Sequence, residues 1–444
     1  MSQDSVSLFL TDLVLPRTAS HRVRLPVLRA QGGDHPTIYY FLQSVFQGPS
    51  RAEFHASLED PFYEPYDRLL LRRERRIVAH VHLTHRTMHF GQASIPAAGL
   101  DWLGVAPEHR GQSLGAHLLR AAESQMEIGG ALVGMLRTSI PGFFRRTGWA
   151  LCGQPSCRRA NARALLARLL DRGLIPRPRR RLHIRPWLQW EQVALARIYS
   201  QNMTAYGSLE RTDAYWRWLL RRHACDQVYV ALEGPDQLEL GEISTRIVGY
   251  AVIRGEQILE LMTAPDRPRA AAELLARCCG DAIELDRHCV LLHAPPGCPL
   301  FDLFDEAGGG GPPRTAEHGE VSMMRLFDPL GLLRRLCGQF ERRAVEARLP
   351  RPLDLGLLVE GQKYQLELGR EGIGVTSQRV GRSYLRLNVA DFTRLMLGQL
   401  DWDAAVADGR LECSTALAHK AGLVLFPSLP LWRPPWDEMT AIVR

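Results

Sequence analysis

The segment LDWLGVAPEHRGQSLGA, residues 100–116, is the most informative part of the sequence. Its apolar start predicts a strand up to Ala106, which Pro107 ends, and residues 108–113 predict a polar loop that opens a helix. Small residues in such a loop let backbone N–H groups approach a ligand closely, and a helix N-terminus favours anions. Arg110 adds a permanent charge that can bind a phosphate through two hydrogen bonds. The segment therefore predicts a phosphate or pyrophosphate cradle.

Strand and helix patterns alternate on both sides of this segment. Short apolar runs predict strands, and apolar residues at helical spacing predict amphipathic helices. Strands that precede helices in this way are typical of a layered α/β or α+β domain. The predicted strands are Val23–Leu28, Leu69–Arg72, Ile77–Thr84, Thr87–Ile95, Leu100–Ala106 and Ala131–Leu136, and the predicted helices are Pro36–Gln47 and Ser113–Glu127.

The composition is that of a globular protein with about three domains. The chain has 444 residues, of which 45% are hydrophobic and 23% charged, so it can bury several cores. No apolar run approaches the roughly 18–20 residues of a membrane span, and residues 1–11 lack the features of a secretory signal. The nine cysteines are scattered without a C-x-x-C pair, which argues against a disulfide framework or a zinc site. We therefore expect a cytoplasmic protein.

Positive charge is concentrated in one segment. Residues 158–187 contain ten arginines and one aspartate, a local charge of +9, so the rest of the chain carries −2 of the net +7. Residues 161–172 form an apolar helical stripe, and the prolines that follow forbid a continuous helix. We predict a first domain over 1–155, an Arg/Pro-rich linker over 156–186, a second domain over 187–345 and a third over 346–444.

The motifs of the first domain resemble the signature of the GNAT acetyltransferase superfamily. In that family a strand ending in V-x-P is followed by R-x-x-G-x-G/A at a helix start. Here the strand ends in VAP, residues 105–107, and the loop reads RGQSLGA, residues 110–116, with Ser113 in place of the first signature glycine. A later motif of the family, an aromatic residue four positions before Gly-aromatic, is present as FRRTGW, residues 144–149.

The resemblance implies acetyl-CoA as the acyl donor. The main chain of Leu103, Gly104 and Val105 would pair with the pantetheine arm. The loop and the start of the helix would hold the pyrophosphate through Arg110, Gly111, Gln112, Ser113, Leu114, Gly115 and Ala116.

Two positions carry the implied chemistry. Many members of the family have a tyrosine at the place of Phe144, and that tyrosine protonates the departing thiolate. Phenylalanine has no proton to give, so another donor serves, or water does, or turnover is weak or absent. Asp101 occupies a strand position where members often carry an acidic base, which would take a proton from an amine directly or through water. The alternative interpretation of Asp101 is a solvated carboxylate at a strand end.

The layout of the whole chain resembles the enhanced-intracellular-survival type of acetyltransferase. That branch has an N-terminal GNAT domain, a GNAT-like domain without a CoA motif, and a C-terminal domain similar to sterol carrier proteins. The approach to the loop (residues 90–111), a glycine-free stretch in the middle domain (residues 262–269) and the sequence from Leu355 onward fit this order. We expect an α/β (α+β) fold with two GNAT-like mixed-sheet domains and a small sterol-carrier-like α/β domain.

The same branch implies further properties. The terminal carboxylate of the chain enters the active site there, which makes Arg444 a candidate base, and its members form ring-like homo-oligomers. The resemblance thus implies a bacterial-type N-acetyltransferase that transfers an acetyl group from acetyl-CoA to a primary amine by direct attack. Polyamines, aminoglycosides, peptide N-termini and protein lysines all remain open as acceptors.

Two alternative functions follow from departures and coincidences in the motif. Phe144 and Ser113 are compatible with a CoA-sensing or lipid-binding protein that turns over weakly or not at all. The loop also contains a literal G-x-S-x-G, residues 111–115, which would make Ser113 the nucleophile of a serine hydrolase. A nucleophile elbow needs a strand that runs directly into the turn, whereas residues 107–110 intervene here, so the hydrolase is the weaker alternative.

Metal and nucleic-acid functions receive less support. His80 and His82 share one face of a strand, but no acidic residue or cysteine stands near them at ligand spacing. The arginine-rich segment would bind RNA or DNA through counterion release, yet only Trp187 and Trp190, at its end, supply aromatic side chains. We therefore predict no metal and no specific nucleic-acid partner.

Overall fold

The computed structural model describes residues 25–153, 156–175, 182–202, 206–222, 224–234, 245–310 and 321–437. Within these residues, helices flank three β-sheets, two of them built mainly of long central strands, so the predicted α/β (α+β) class is confirmed. None of the helices described there has both the length and the apolar character needed to cross a membrane.

The N-terminal part alternates strands and helices as predicted. Its elements are β1 (Val27–Arg29), α1 (His35–Phe46), α2 (Arg51–Leu58), β2 (Arg68–Arg73), β3 (Arg76–Phe90), β4 (Ala93–Val105), α3 (Leu114–Ile128), β5 (Val133–Thr138), α4 (Pro141–Arg145) and β6 (Ala150–Leu151). The predicted strand Thr87–Ile95 is wrong as a single strand. It spans the end of β3, a two-residue turn and the start of β4, because Gly91 takes the left-handed conformation (φ 61°) that a tight hairpin needs.

The middle part has a similar series of elements. They are β7 (Cys157–Asn161), α5 (Ala162–Asp171), β8 (His183–Pro186), α6 (Gln192–Asn202), α7 (Asp213–Arg221), β9 (Gln227–Glu233), β10 (Arg246–Arg254), β11 (Gln257–Thr263), α8 (Ala270–Glu284), β12 (Cys289–His293) and α9 (Leu300–Glu306).

The C-terminal part begins with a strand and a long helix. Its elements are β13 (Val321–Leu326), α10 (Pro329–Glu346), β14 (Leu353–Val359), β15 (Gln362–Leu368), β16 (Ile373–Ser377), β17 (Tyr384–Leu387), α11 (Val389–Met396), α12 (Trp402–Ala407), β18 (Leu411–Cys413) and α13 (Ala416–Leu425).

The first two sheets repeat one topology and exchange a strand. The first sheet has the order β1-β2-β3-β4-β5-β13-β6, and the second has the order β8-β9-β10-β11-β12-β7. Each contains one parallel pair at its centre, β4 with β5 and β11 with β12. In each sheet the strand next to the parallel pair comes from outside the repeat in sequence. Strand β7, which precedes the second repeat, pairs with β12, and strand β13, which follows the second repeat, pairs with β5 of the first sheet. The two domains are thereby tied together by the chain.

This exchange corrects the predicted linker over residues 156–186. The described residues of that segment form β7 and β8 of the second sheet and the helix α5 that packs on it. Leu165 and Leu169 of α5 are buried in the second core, while Arg158 and Arg159 of β7 form exposed ion pairs with acidic side chains of the same domain. These two arginines thus lie on the polar face of a packed strand. Likewise β13, predicted as part of the 187–345 domain, lies in the first sheet because its apolar residues pair with β5.

The third sheet has the order β16-β15-β14-β17-β18. Helix α10 lies between it and the first sheet, and Phe340 of α10 is fully buried in a core that both sheets share. Packing is close in this unit, since a Cβ added at Gly422 would meet the Trp402 ring at 2.5 Å. The apolar side of the third sheet is therefore held by α10 and α13.

Helices cover both faces of the first sheet. Leu118, Ala122 and Met126 form the apolar stripe of α3, which lies on one face with the buried residues of β2 to β4. Ile38 and Leu42 of α1 cover the opposite face together with α2. The carboxyl ends of β4 and β5 therefore emerge between two helical layers.

Candidate active site

Strand β4 is distorted where its pairing with β3 nears its end. The register shifts between His80 and His82, so that β4 carries two residues, Trp102 and Leu103, where β3 carries one. Trp102 has a φ of 55°, which an L-residue adopts only when its surroundings hold it there. A bulge of this kind bends a strand and is frequent beside functional sites.

Strands β4 and β5 diverge at the same level. Their parallel pairing runs from Ala97 with Val133 to Leu100 with Leu136. Beyond that point β4 remains paired with β3 as far as Val105, while β5 remains paired with β13. The two strands thus form a V-shaped cleft at their carboxyl ends, and the main chain of β4 lines one wall.

The loop above this cleft has the backbone of an anion cradle. Residues 107–109 form a 3₁₀ turn, after which Gly111 (φ 78°) and Ser113 (φ 61°) both take the left-handed conformation. Residues 111–113 are exposed, and the first turn of α3 contains no acidic residue. The first N–H groups of a helix have no partner within it and carry the positive end of its dipole. The predicted phosphate cradle thus lies at the mouth of the cleft.

Gly115 lies in the first turn of α3, and Arg110 lies in the loop before it. A Cβ at Gly115 would lie 3.5 Å from Val105 Cγ2 and 3.7 Å from Phe143 Cζ, which are ordinary contacts. The protein itself therefore leaves room for a small side chain at Gly115. The exposed Arg110 donates from Nε to the Val105 carbonyl oxygen at 3.3 Å, so its guanidinium lies at the end of β4.

Phe144 lies in the core. Its side chain is 4% exposed and meets Phe143 edge-on at a centroid distance of 4.9 Å and Trp149 at 6.2 Å. Trp149 donates from Nε1 to Glu123 of α3 at 2.8 Å, which fixes the ring behind Phe144. Phe144 therefore packs α4 against α3 and the sheet.

A polar row crosses the face of the sheet that α1 and α2 cover. Arg68 of β2 lies opposite His82 of β3, and His82 lies opposite Asp101 of β4. Arg68 and His82 are buried, while Asp101 is half-buried beside the bulge. The row leads from the interior of the domain to the place where β4 and β5 part.

His80 is fixed in one tautomer beside this row. Arg68 can only donate, so its Nη1 at 3.4 Å makes His80 Nε2 the acceptor, and His80 Nδ1 donates to the Trp102 carbonyl oxygen at 3.1 Å. Burial, and then the charge of Arg68, lowers the pKa of His80 to about 3. The imidazole is therefore neutral and holds the bulged backbone of β4 in place.

A model of the acetyltransferase (GNAT) domain matches residues 27–152, which include the cleft, the loop and α3. These residues form a GNAT acetyltransferase domain. No curated protein matches the sequence.

Over more than nine-tenths of its length the chain resembles solved structures of low sequence identity. A GCN5-related N-acetyltransferase from Anabaena variabilis is 17% identical and has a TM-score of 0.70, with 92% of this chain and 99% of that chain covered. One from Kribbella flavida is 16% identical with a TM-score of 0.67, covering 92% and 97%. Eis1 from Mycobacterium abscessus is 17% identical with a TM-score of 0.61, covering 91% and 98%. The chain shares its three-part fold with these proteins.

The second sheet contains a counterpart of the cleft in the GNAT domain. The parallel pairing of β11 with β12 extends only to Ile258 with Leu292, and the register of β10 with β11 shifts at Leu259. Just beyond, Glu260 binds Arg211, which also binds Asp437 near the C-terminus; the Arg211 and Glu260 side chains are fully buried. The equivalent place is thus filled by protein.

The loop of the second repeat also differs from that of the GNAT domain. Residues 264–269 between β11 and α8 contain no glycine, and Asp266 forms ion pairs with Arg246 and Arg267. Glu273 stands in the first turn of α8, where it accepts a hydrogen bond from the Leu182 N–H at 2.9 Å. A carboxylate at that helix start would repel a phosphate.

The serine-hydrolase alternative loses its geometric basis in the GNAT domain. The 3₁₀ turn of residues 107–109 separates β4 from Ser113, so the strand does not run into an elbow. His117, one turn further along α3, is bonded through Nε2 to the Leu25 carbonyl oxygen at 3.0 Å.

Sequence reasoning found the loop and the cleft strand but missed the polar row. Arg68, His80 and His82 alternate with apolar residues in strands that are otherwise buried, and this alternation was the available signal. The sequence alone presents the two histidines as possible metal ligands; within the described residues no cluster of three His, Cys, Asp or Glu side chains could hold a metal. Arg444, the other predicted base, lies outside the described residues.

Proposed function

We propose that the protein is an N-acetyltransferase that takes the acetyl group from acetyl-CoA and transfers it to a primary amine by direct attack. The observation that carries the proposal is the divergence of β4 and β5 directly below the glycine-containing loop. The GNAT domain supports acetyl transfer as the general activity, and the geometry of this chain supports the roles proposed for its residues.

The donor side of the cleft suits the parts of acetyl-CoA. The β4 main chain at Leu103, Gly104 and Val105 offers strand-like pairing to the pantetheine arm, because β5 has turned away from it. Arg110 and the N–H groups from Gly111 to Ala116 suit the pyrophosphate, since the first turn of α3 carries a partial positive charge.

The acceptor side is the face with Asp101. In the proposed reaction the amine nitrogen attacks the thioester carbonyl carbon, the N–C bond forms, and the C–S bond breaks to release the CoA thiolate. A main-chain N–H near Val105 would stabilise the carbonyl oxygen as it gains negative charge. Asp101 would accept the proton that the amine nitrogen loses. Arg444 remains a second candidate base in this proposal.

Protonation of the thiolate does not involve Phe144 in this proposal. The Phe144 ring is enclosed by Phe143 and Trp149 and has no acidic proton. The proposed proton source is solvent at the open mouth of the cleft, where residues 111–113 are exposed.

The test is calorimetric titration of the wild-type protein and a Gly115→Glu variant with acetyl-CoA. A carboxylate at the cradle should weaken binding by about a hundredfold or more, because like charges would face each other at close range. Gly280→Glu is the matched control, since Gly280 lies in α8 of the second repeat and an added Cβ there meets nothing within 4 Å. Equal binding by both variants would refute the cradle.

Turnover separates the enzyme from the CoA-sensing alternative. The wild-type protein is mixed with acetyl-CoA and a panel of primary amines, namely polyamines, aminoglycosides and peptides with a free N-terminus or lysine, and free thiol is measured. We expect thiol release that depends on the amine and that Gly115→Glu abolishes. Tight binding without release for any amine would favour the sensor.

A further inference from the structure

Arg68 is a buried cation without a close counter-ion in the described part of the chain. Its side chain lies among neutral partners, because Nε donates to the Tyr63 hydroxyl at 3.1 Å and Nη2 donates to the Ser57 hydroxyl at 3.2 Å. The guanidinium also stacks over the Phe54 ring at 5.2 Å. Burial lowers the pKa of Arg68, and the charge of Asp101 is among those that oppose this shift. Asp101, at the other end of the row, therefore supplies part of the electrostatic compensation of Arg68, beside Tyr63 and Asp67.

His82 lies between these two charges. It is directly opposite Arg68 on one side and Asp101 on the other, and directly opposed side chains in antiparallel strands have Cβ atoms about 4.5–5.5 Å apart. Its side chain is 3% exposed, and its ring meets Tyr63 at a centroid distance of 5.6 Å. The imidazole is therefore within reach of the Asp101 carboxylate or of a small molecule shared with it.

One nitrogen of His82 lacks a partner. Among the described residues nothing donates to or accepts from the buried Nδ1. An unsatisfied buried polar atom costs about 1–3 kcal/mol, so such atoms in proteins mark either strain, a bound water or a catalytic role. His82 Nδ1 is the one atom of the polar row with this property.

The surroundings keep His82 uncharged. Burial lowers the pKa of His82 well below its ordinary value, and the charge of Arg68 lowers it further. The other groups that act on it are His80, Arg86 and His85 of its own strand, whose carboxylate partners are Asp60 for Arg86 and Asp67 for His85. A neutral imidazole can bind a water molecule through either nitrogen without competing with Asp101 for the proton.

We propose that His82 positions a water molecule that relays the proton of the attacking amine to Asp101. The inference rests on the proposed function and adds a residue and a path to it. As the N–C bond forms, the amine nitrogen gives a proton to the water, and the water gives one of its protons to the Asp101 carboxylate. The C–S electron pair leaves with the CoA thiolate. The positive charge of Arg68 attracts the carboxylate while substrates exclude solvent from the cleft.

The experiment compares His82→Phe, His82→Asn and His89→Phe. His89 is the matched control, because it lies on the same strand and also has a buried nitrogen without a described partner, but it is seven residues from the row. Each variant is assayed for thiol release with the amine that the wild-type protein turns over fastest. Acetyl-CoA affinity is measured by calorimetry and folding by circular dichroism.

We expect His82→Phe to lower kcat by about tenfold or more, with an upper limit of the roughly hundredfold to ten-thousandfold that a proton-transfer group contributes, and with unchanged affinity for acetyl-CoA. His82→Asn should recover part of this loss, since an amide can hold the water, and His89→Phe should leave kcat unchanged. The pH profile should also change. Without the relay, kcat/KM of His82→Phe should follow the free-amine fraction and keep rising at alkaline pH.

A kcat of His82→Phe equal to that of His89→Phe would overturn the inference while leaving the proposed function intact. Absence of thiol release by the wild-type protein would overturn both. If His82→Phe does not fold, a proton inventory of the wild-type protein in mixed H₂O and D₂O gives the answer. A curved inventory indicates two protons in flight and supports the relay, whereas a linear one contradicts it.

Discussion

The first and second sheets have a corresponding strand order and the same divergence of two parallel central strands, but among the described residues only the second has its cleft filled by an ion-paired cluster of side chains. In the GNAT domain the cleft ends at the loop of residues 110–113, above a helix start without acidic residues. In the second repeat Glu273 stands at the helix start, and Arg211, Glu260 and Asp437 fill the space beside β11. The fold alone therefore does not make a binding site; the charge and size of the residues placed in it do.

The side chains that fill the cleft of the second repeat stabilise the folded protein. Trp436 is fully buried against Trp216 at a centroid distance of 5.8 Å, and Arg222 donates to the Trp436 carbonyl oxygen. These contacts fix a C-terminal segment far from the GNAT domain in sequence. Substitutions in the two repeats should consequently have opposite signatures, with loss of stability in the second and loss of ligand affinity in the first.

The largest effect is expected for Arg211→Met. This change leaves Glu260 and Asp437 buried without their cation, which should lower the free energy of unfolding by about 3–5 kcal/mol. Chemical denaturation measures it, and Arg159→Met at the exposed pair with Glu256 is the control, expected within about 0.5 kcal/mol of the wild type. If Arg211→Met reduced the free energy of acetyl-CoA binding to the folded protein as much as the free energy of unfolding, ligand binding in the first repeat would depend on the second repeat, which contradicts this expectation.

Acidification should destabilise the GNAT domain through His80. Its pKa is about 3 in the folded protein and near 6.5 when unfolded, so its contribution to stability is complete above pH 6.5 and decreases as the pH falls toward 3. Between pH 8 and pH 5 this amounts to about 2 kcal/mol. Urea denaturation at several pH values checks it, and His80→Gln should flatten the dependence. An equal slope in both proteins would assign the acid sensitivity to other groups.

Alanine at the two helix glycines should separate ligand binding from folding. Gly115→Ala is expected to weaken acetyl-CoA binding by about tenfold, because the added methyl group separates the helix start from the pyrophosphate. Its unfolding free energy should not fall, since the new Cβ makes ordinary contacts. Gly280→Ala in α8 should raise stability by about 0.5–1 kcal/mol and leave binding unchanged. Calorimetry and thermal denaturation report the two quantities, and unchanged affinity in Gly115→Ala would place the pyrophosphate elsewhere.

The smallest effect is expected for Phe144→Tyr. The new hydroxyl would enter a core formed by Phe143 and Trp149, at a cost of about 1 kcal/mol in stability. Turnover should stay near that of the wild type, because the group does not reach the cleft in this packing. Thiol-release assays decide the point: a clear rise in kcat would show that residue 144 reaches the leaving thiolate and that a missing acid limits the rate.

Local patterns in the sequence are sufficient to predict the strand, loop and helix of the proposed donor site. The predicted helix Ser113–Glu127 agrees with α3 to within one residue at each end, and the strand before the loop ends as Pro107 requires. The shared strand face of His80 and His82 was also readable, because side chains alternate along a strand. Each of these features depends on residues within one or two turns of chain.

Short stretches of sequence specify the α/β class, the loop at residues 110–116 and the glycine-free loop of the second repeat, because hydrophobic period, proline and glycine act locally. The pairing of the strands is visible in the three-dimensional structure alone. That structure placed β13 beside β5 across about 190 residues of chain, turned a predicted linker into β7 and α5, and set His82 opposite Asp101. Such pairings depend on which apolar faces can be buried together and on the register. A shift of one residue in register would turn every side chain to the opposite face of the sheet, and a short segment does not encode either property.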